Sequence, residues 1–435
     1  MFCKNITVGA LRTALLGVMG FLVPACASDQ YYWALPIDAA GAQDWESVSC
    51  IDNDAVNAFR RSQAAVERSD DNALNENEQL FAEMTITALI GEIAYCDAVQ
   101  GEEEKKIRTA MRDYRALSYN AAYIRPQLSP LTTFPSVYLL SKPQSHRIIV
   151  YFPGLDAAAS PADLLQSLKA GAAEDQPFPG RLYIPRGHEG FREGVLNLAD
   201  DGFFLQAKSF EELEQECGPA AEGSESSNRK IVSLASFICA YDVIDPSRSD
   251  PIELVVGGHS LGAGVAQSAL GAFSGLTWRQ ENTGSWTVAP PERNWPFRVS
   301  AAYLYSPPLA LYPRDESCRP IAREDVNPKN VYAANGLIDR TYSIIKDGDP
   351  IPDLWRPGGP SINCVEGEHI GKKVAIPRGE DPDVAAKQPV AFDWHNPFPH
   401  RLQSYRRALE NAVRQTQQKR PKSTDETAPA QRAEY

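Results

Sequence analysis

Ser260 sits between Gly258 and Gly262 in IELVVGGHSLGAGVAQ, residues 252–267. A serine in a G-x-S-x-G pattern, after an apolar β-branched run and before a row of small residues, suits one chemistry in particular. It is a nucleophile held out at the tip of a strand-to-helix turn, where it can attack an ester carbonyl. The competing reading is a tight, close-packed turn with an incidental serine. The catalytic reading makes physical demands on the neighbours. The backbone of such a serine is strained, so adjacent residues must be small enough for strand and helix to approach. The helix amino terminus beneath it favours developing negative charge.

A serine hydroxyl alone is a poor nucleophile; it needs a base, and the base needs an orienting acid. On a strand-to-helix elbow the chain order is Ser, then Asp or Glu, then His. The histidines are His146, His188, His259, His369, His395 and His400, and only the last three lie downstream of a suitable acid. IIKDGDPIPDLW supplies that acid at an expected strand end, with Asp349 the first choice and Asp347 the reserve. HNPFPHRLQSY supplies the base. His400 begins an expected helix and is preferred; His395 lies in a proline-rich loop and is second. His188 reads either as a pocket residue or as a structural histidine capping a helix.

The elements that must position these groups alternate. HRIIVYFPG, IELVVGG, FRVSAAYLYS and DRTYSIIKDGD read as strands and RLYIP as a short one. PADLLQSLKAGA, FREGVLNLADDGFFLQAKSF, KIVSLASFICAYDVI, GAGVAQSALGAFS and HRLQSYRRALENAV read as helices. The alternation predicts an α/β fold, a mainly parallel sheet covered by helices on both faces. Residues 28–145 read as a helical lead-in, with helices in NENEQLFAEMTITALIGEIAYCDAV and GEEEKKIRTAMRDYRALSYNAAYI, then a proline-rich break. The catalytic domain is expected over 146–412 and a disordered tail over 413–435. Trp278, Trp286 and Trp295 share one insertion, where they either line a lipid-facing mouth or pack the insertion onto the body.

Residues 1–27 read as an export signal: Lys4 and Arg12, the apolar TALLGVMGFLVPA, and Ala25-Cys26-Ala27 as a cleavage site. Lipidation of Cys26 is the alternative, which would tie the chain to a membrane surface. Removing Cys3 and Cys26 from the eight cysteines leaves Cys50, Cys96, Cys217, Cys239, Cys318 and Cys364, an even number that fits disulfides in an exported chain. Removing Lys4 and Arg12 from the 43 basic residues leaves 41 against 56 acidic ones, a net charge of −15. That balance speaks against nucleic acid as a partner and against electrostatic docking on anionic lipid.

Several stretches in order resemble the class 3 (fungal-type) lipase family of the α/β-hydrolases. AYCDA at Tyr95-Cys96, RIIVYFPGLD, GHEGFREGV, GGHSLGAG, YLYSPPLAL, IIKDGDPIPDL and HRLQSY each match a family segment over about residues 80–410. The resemblance implies an α/β-hydrolase fold and a triad of Ser260, Asp349 and His400. It also implies an oxyanion hole made by the backbone N–H groups of Leu155 and Leu261. It departs from the family at Phe152-Pro153-Gly154-Leu155-Asp156, where the family carries R-G-[TS]. Leu155 has no hydroxyl, and losing a side-chain donor there costs on the order of 2.7–4 kcal/mol of barrier if nothing replaces it. The expected activity is hydrolysis of carboxylic esters, lipid esters foremost, by an exported enzyme with no metal or organic cofactor. An esterase or phospholipase on the same machinery is one alternative. A catalytically silent hydrolase-fold envelope or binding protein is the other.

Overall fold

A computed structural model of the chain describes residues 49–67, 76–96, 103–125, 135–154, 181–204, 209–217, 231–243, 250–311, 327–353, 369–376 and 402–418, leaving aside positions 186, 232, 242, 293 and 350. All of them belong to one compact unit. Seven described strands form a sheet in the order β1-β2-β3-β4-β7-β8-β9. These are β1 (Asn120–Ile124), β2 (Val137–Ser141), β3 (Arg147–Phe152), β4 (Ile252–His259), β7 (Phe297–Tyr305), β8 (Thr341–Lys346) and β9 (Lys372–Ile376). From β3 onward every pairing is parallel, whereas β1 and β2 run antiparallel. A small hairpin, β5 (Thr277–Gln280) and β6 (Trp286–Ala289), stands apart.

The parallel strands are apolar on both sides because helices cover both faces. Ile148, Val150 and Phe152 of β3 and Leu254 and Val256 of β4 join one core. Into it pack helices α4 (Glu189–Asp200), α6 (Leu234–Tyr241), α7 (Leu261–Phe273) and α8 (Pro328–Ala334). Ile149, Tyr151 and Val255 face the opposite core, built by α1 (Asn53–Glu67), α2 (Glu76–Tyr95), α3 (Glu103–Ala116) and α9 (Leu402–Gln418). Helix α5 (Phe210–Cys217) is tied to α6 by the Cys217–Cys239 disulfide, and Cys50–Cys96 ties the chain before α1 to the end of α2. Closing loops of these lengths stabilises a fold by roughly 3–4 kcal/mol each. Cys318 and Cys364 lie outside the described residues.

Several expectations change. The helix expected to run through Ile124 stops at Ala116: Ser118 turns left-handed, φ +65°, and Tyr119 N–H donates to the Tyr114 carbonyl. NAAYI then becomes β1, so the lead-in is not wholly helical and supplies the antiparallel margin of the sheet. RLYIP makes only one isolated bridge, Leu182 to Thr277. KKVAI, not expected as a strand, forms β9. Helix α9 runs to Gln418, past the expected start of the tail, because Tyr405, Leu409 and Val413 keep one buried stripe at four-residue spacing. PADLLQSLKAGA lies outside the described residues. The tryptophans pack: Trp278 and Trp295 are buried in the core with Trp286 against them, and Trp295 Nε1 donates to the Phe273 carbonyl.

One ion pair fastens α9 to α2. Arg406, buried on α9, donates from Nε to Glu92 at 2.6 Å and from its guanidinium to Glu410. Burial lifts the Glu92 carboxyl to about 7, against the pull of Arg406. A carboxyl raised in the folded state stabilises the fold below its unfolded value and loses that contribution as pH rises through the folded one. Thermal melts at about pH 5 and about pH 8 will therefore show a drop in midpoint to which Glu92 contributes, and Glu92→Gln will show a smaller drop. An identical drop in the variant would contradict this placement of Glu92.

Candidate active site

The carboxyl ends of the parallel strands meet in one row. Phe152 is paired with Gly258, His259 with Tyr305, and Tyr305 with Ile344. Open α/β sheets bind ligands at this end. Ser260 follows β4 directly and precedes α7, with φ +55° and ψ −130°. Non-glycine residues avoid that conformation, which costs of order 1–3 kcal/mol and persists only where surrounding structure enforces it. Here Ser260 N–H donates to the Tyr305 carbonyl at 2.9 Å, and the Ser260 carbonyl accepts from Ala263 N–H at 3.0 Å. The small neighbours are required for space. A Cβ on Gly258 would stand 2.8 Å from Ala263 Cα, and one on Gly262 would stand 2.3 Å from the Phe152 carbonyl oxygen. Strand, strained serine and buried helix make a tight strand-to-helix elbow on a mostly parallel sheet. The chain has an α/β-hydrolase fold.

On the α/β-hydrolase elbow, Leu261 is the first residue of α7, so its N–H is among those that find no carbonyl within the helix. The other expected oxyanion donor, Leu155, lies outside the described residues, but the turn leading to it is placed. Gly154 abuts the elbow so closely that a Cβ there would stand 2.7 Å from the His259 carbonyl and 2.9 Å from Ser260 Cβ. Gly154 N–H donates to Tyr95 Oη at 2.7 Å. Tyr95 Oη also shares a hydrogen bond with His259 Nδ1 at 2.7 Å. Helix α2 thus holds the end of β3 and the residue before Ser260 in one relay. Sequence reading missed this role for Tyr95 and His259. The family resemblance touched Tyr95 only as part of a helical entry, and His259 only as part of the elbow motif.

Asp349 lies beyond β8 after a turn through Gly348, φ +86°, and is buried. One carboxylate oxygen accepts from Ile351 N–H at 3.0 Å and the other from Tyr405 Oη at 2.7 Å. Burial, then the Asp349 charge, push the Tyr405 phenol well above its ordinary value, so it stays a donor. The reserve acid, Asp347, is exposed, its N–H donating to the Ile376 carbonyl. Between the two acids the structure therefore separates a buried, doubly held carboxylate from a solvated one. His395 and His400 lie outside the described residues. Tyr405 belongs to the first turn of α9, and His400 precedes that helix by two residues. His188 stands at the N-cap of α4, yet its ring makes no cap hydrogen bond; it stacks on Phe191 at 4.4 Å, and burial lowers its pKa to about 3. Among the described residues no group of three or more His, Cys, Asp or Glu side chains could hold a metal ion.

No family model matches the chain, and neither does any curated protein. Similar solved structures include a mutant form of MDLA from Penicillium cyclopium, at 15% identity, covering 75% of this chain and 81% of that one with a TM-score of 0.33. A fungal lipase–inhibitor complex is similar at 15% identity, 68% and 79% coverage and a TM-score of 0.36. A Rhizomucor miehei lipase propeptide complex is similar at 16% identity, 68% coverage of each chain and a TM-score of 0.35. The fold assignment rests on this chain's own strand order and elbow.

The tight contact at Gly262 gives a direct stability expectation. Gly262→Ala will lower the unfolding free energy by about 1–3 kcal/mol, since its methyl would meet two backbone carbonyls that cannot move independently. Urea denaturation measures this; an unchanged midpoint would mean the elbow is looser than described.

Proposed function

We propose that the chain is an exported serine hydrolase of carboxylic esters, with lipid esters as the substrate class. The strained, glycine-flanked Ser260 at the head of α7 carries the reading. Such a conformation at the ligand-binding end of a sheet supports a functional reading of Ser260, which keeps only 8% of its surface exposed. Asp349 supports it, as a buried carboxylate fixed on two sides in the chain order that the chemistry requires. The likeness to fungal lipases agrees in kind with this reading and adds no argument of its own.

In this reading Ser260 Oγ attacks the ester carbonyl carbon while His400 removes its proton. Asp349 holds the imidazole in the tautomer that can accept it, and stabilises the imidazolium formed. The N–H groups of Leu155 and Leu261 stabilise the oxyanion. Collapse of the tetrahedral species breaks the carbonyl–alkoxy bond, and His400 returns the proton to the leaving alcohol. Water, deprotonated by the same histidine, then cleaves the acyl-enzyme to carboxylic acid and free Ser260. Tyr405 acts through Asp349 as a positioning residue. Export is supported by the two disulfides, which persist in oxidising compartments. Among the described residues no helix is long and apolar enough to cross a membrane.

Turnover of p-nitrophenyl esters of graded acyl length tests the assignment. Ser260→Ala, His400→Ala and Asp349→Asn will each lower kcat on the order of 10⁴-fold, whereas His395→Ala and Asp347→Asn will stay near wild type. Tyr405→Phe will lower kcat roughly tenfold, the value of one hydrogen bond to a charged acceptor. A wild-type rate that survives Ser260→Ala would sink the reading; loss in His395→Ala instead of His400→Ala would reassign the base.

A further inference from the structure

Ser306 follows β7 directly, beside the elbow. The residue before it, Tyr305, accepts from Ser260 N–H, and Ser306 N–H donates to the Ile344 carbonyl of β8 at 2.9 Å. Its φ is +48°, so a second non-glycine residue is held left-handed at the carboxyl end of the strand paired with β4. Glycine takes that conformation without strain, whereas a serine there costs stability. Ser306 ends no helix and closes no hairpin. It is fully buried, so its hydroxyl must find its partner within the protein.

That partner is the Tyr405 phenol, to which the Ser306 hydroxyl donates. Lys346 N–H reaches the same phenol oxygen at 3.3 Å, and the phenol itself donates to Asp349 at 2.7 Å. Three elements therefore meet at one oxygen: the end of β7 through Ser306, the end of β8 through Lys346, and α9 through Tyr405 itself. The Lys346 carbonyl also accepts from Asp349 N–H at 3.1 Å, so one turn fixes both the acid's backbone and its phenol partner. A hydroxyl that accepts hydrogen bonds is polarised by them and donates more strongly. Ser306 thus bears on Asp349 through one intervening group. A residue that only filled space here would be better as glycine, which needs no strain; the serine adds the hydroxyl, and the hydroxyl is used.

We propose that Ser306 is a positioning residue of the candidate active site: its hydroxyl orients the Tyr405 phenol, and the phenol orients Asp349. The inference rests on the ester-hydrolase reading and adds a residue to it. Steady-state turnover of a p-nitrophenyl ester tests it in the wild type, Ser306→Gly, Ser306→Ala, Tyr405→Phe and the Ser306→Gly/Tyr405→Phe double variant. Ser306→Gly will lower kcat about three- to tenfold with KM within about twofold of wild type, and it will melt no lower than Ser306→Ala because glycine relieves the strain. Ser306→Ala keeps the strained backbone without the hydroxyl and will lower kcat by a similar factor. In the Tyr405→Phe background, Ser306→Gly will lower kcat by less than about twofold, since the hydroxyl acts through the phenol. The proposal is overturned if Ser306→Gly turns over as wild type does, or if only Ser306→Ala slows, which would make the backbone and not the hydroxyl responsible. It is equally overturned if the loss is the same with and without the Tyr405 hydroxyl. A wild type that hydrolyses no ester removes the hydrolase reading and this proposal with it; an active wild type beside an unimpaired Ser306→Gly removes the proposal alone.

Discussion

The close approach of α7 to the ends of β3 and β4 is the constraint on which the rest of this structure depends. Helix α7 is buried along its whole length: its residues are mostly small and apolar, and its two polar side chains, Gln267 and Ser268, donate to the Pro308 and Gly264 carbonyls. To bury it there, the chain must leave β4 and enter the helix within a single residue, and that residue is Ser260. Its left-handed conformation is the cost of the connection. The hydrogen bond from its N–H to the Tyr305 carbonyl and the burial of Ala263, Val265, Ala266 and Ala269 offset that cost. Glycine at 258 and 262 is what lets backbone meet backbone at this point. The same geometry turns the helix amino terminus toward the place where an oxyanion would form.

A second constraint comes from the lead-in. Helix α2 lies against β3 so closely that Gly91 leaves room for the Tyr151 ring. From that position it reaches the site twice. Tyr95 joins Gly154 to His259, and Glu92 anchors Arg406 of the helix whose first turn carries Tyr405. The region before the sheet thus braces both the turn that leads to Leu155 and the helix that holds Asp349. Cutting the chain near residue 145 would remove β1, β2 and this brace together.

The sequence disclosed the parts of this organisation that are local in the chain. Strands β3, β4, β7 and β8 are continuous apolar runs stopped by turn residues, and the elbow is a contiguous motif with its steric requirement written in glycines. Asp349 is preferred to Asp347 by its place at an expected strand end and by the resemblance; the buried setting that distinguishes them involves Tyr405, 56 positions away. Strands β1 and β9 went unread because Asn-Ala-Ala and Lys-Lys are weak strand formers, recruited by neighbouring strands and not by propensity. The Tyr95–His259 relay was hidden for the same reason: it spans 164 positions, and each residue alone looks like ordinary core.

The central claim is that the strain at Ser260 serves an activated nucleophile. The most direct measurement is labelling of the purified, folded chain with a fluorophosphonate probe, beside Ser260→Ala, with and without detergent. The account predicts one covalent adduct on Ser260 in the wild type and none in the variant. Equal labelling of both chains, or no labelling of the folded wild type under either condition, would contradict it.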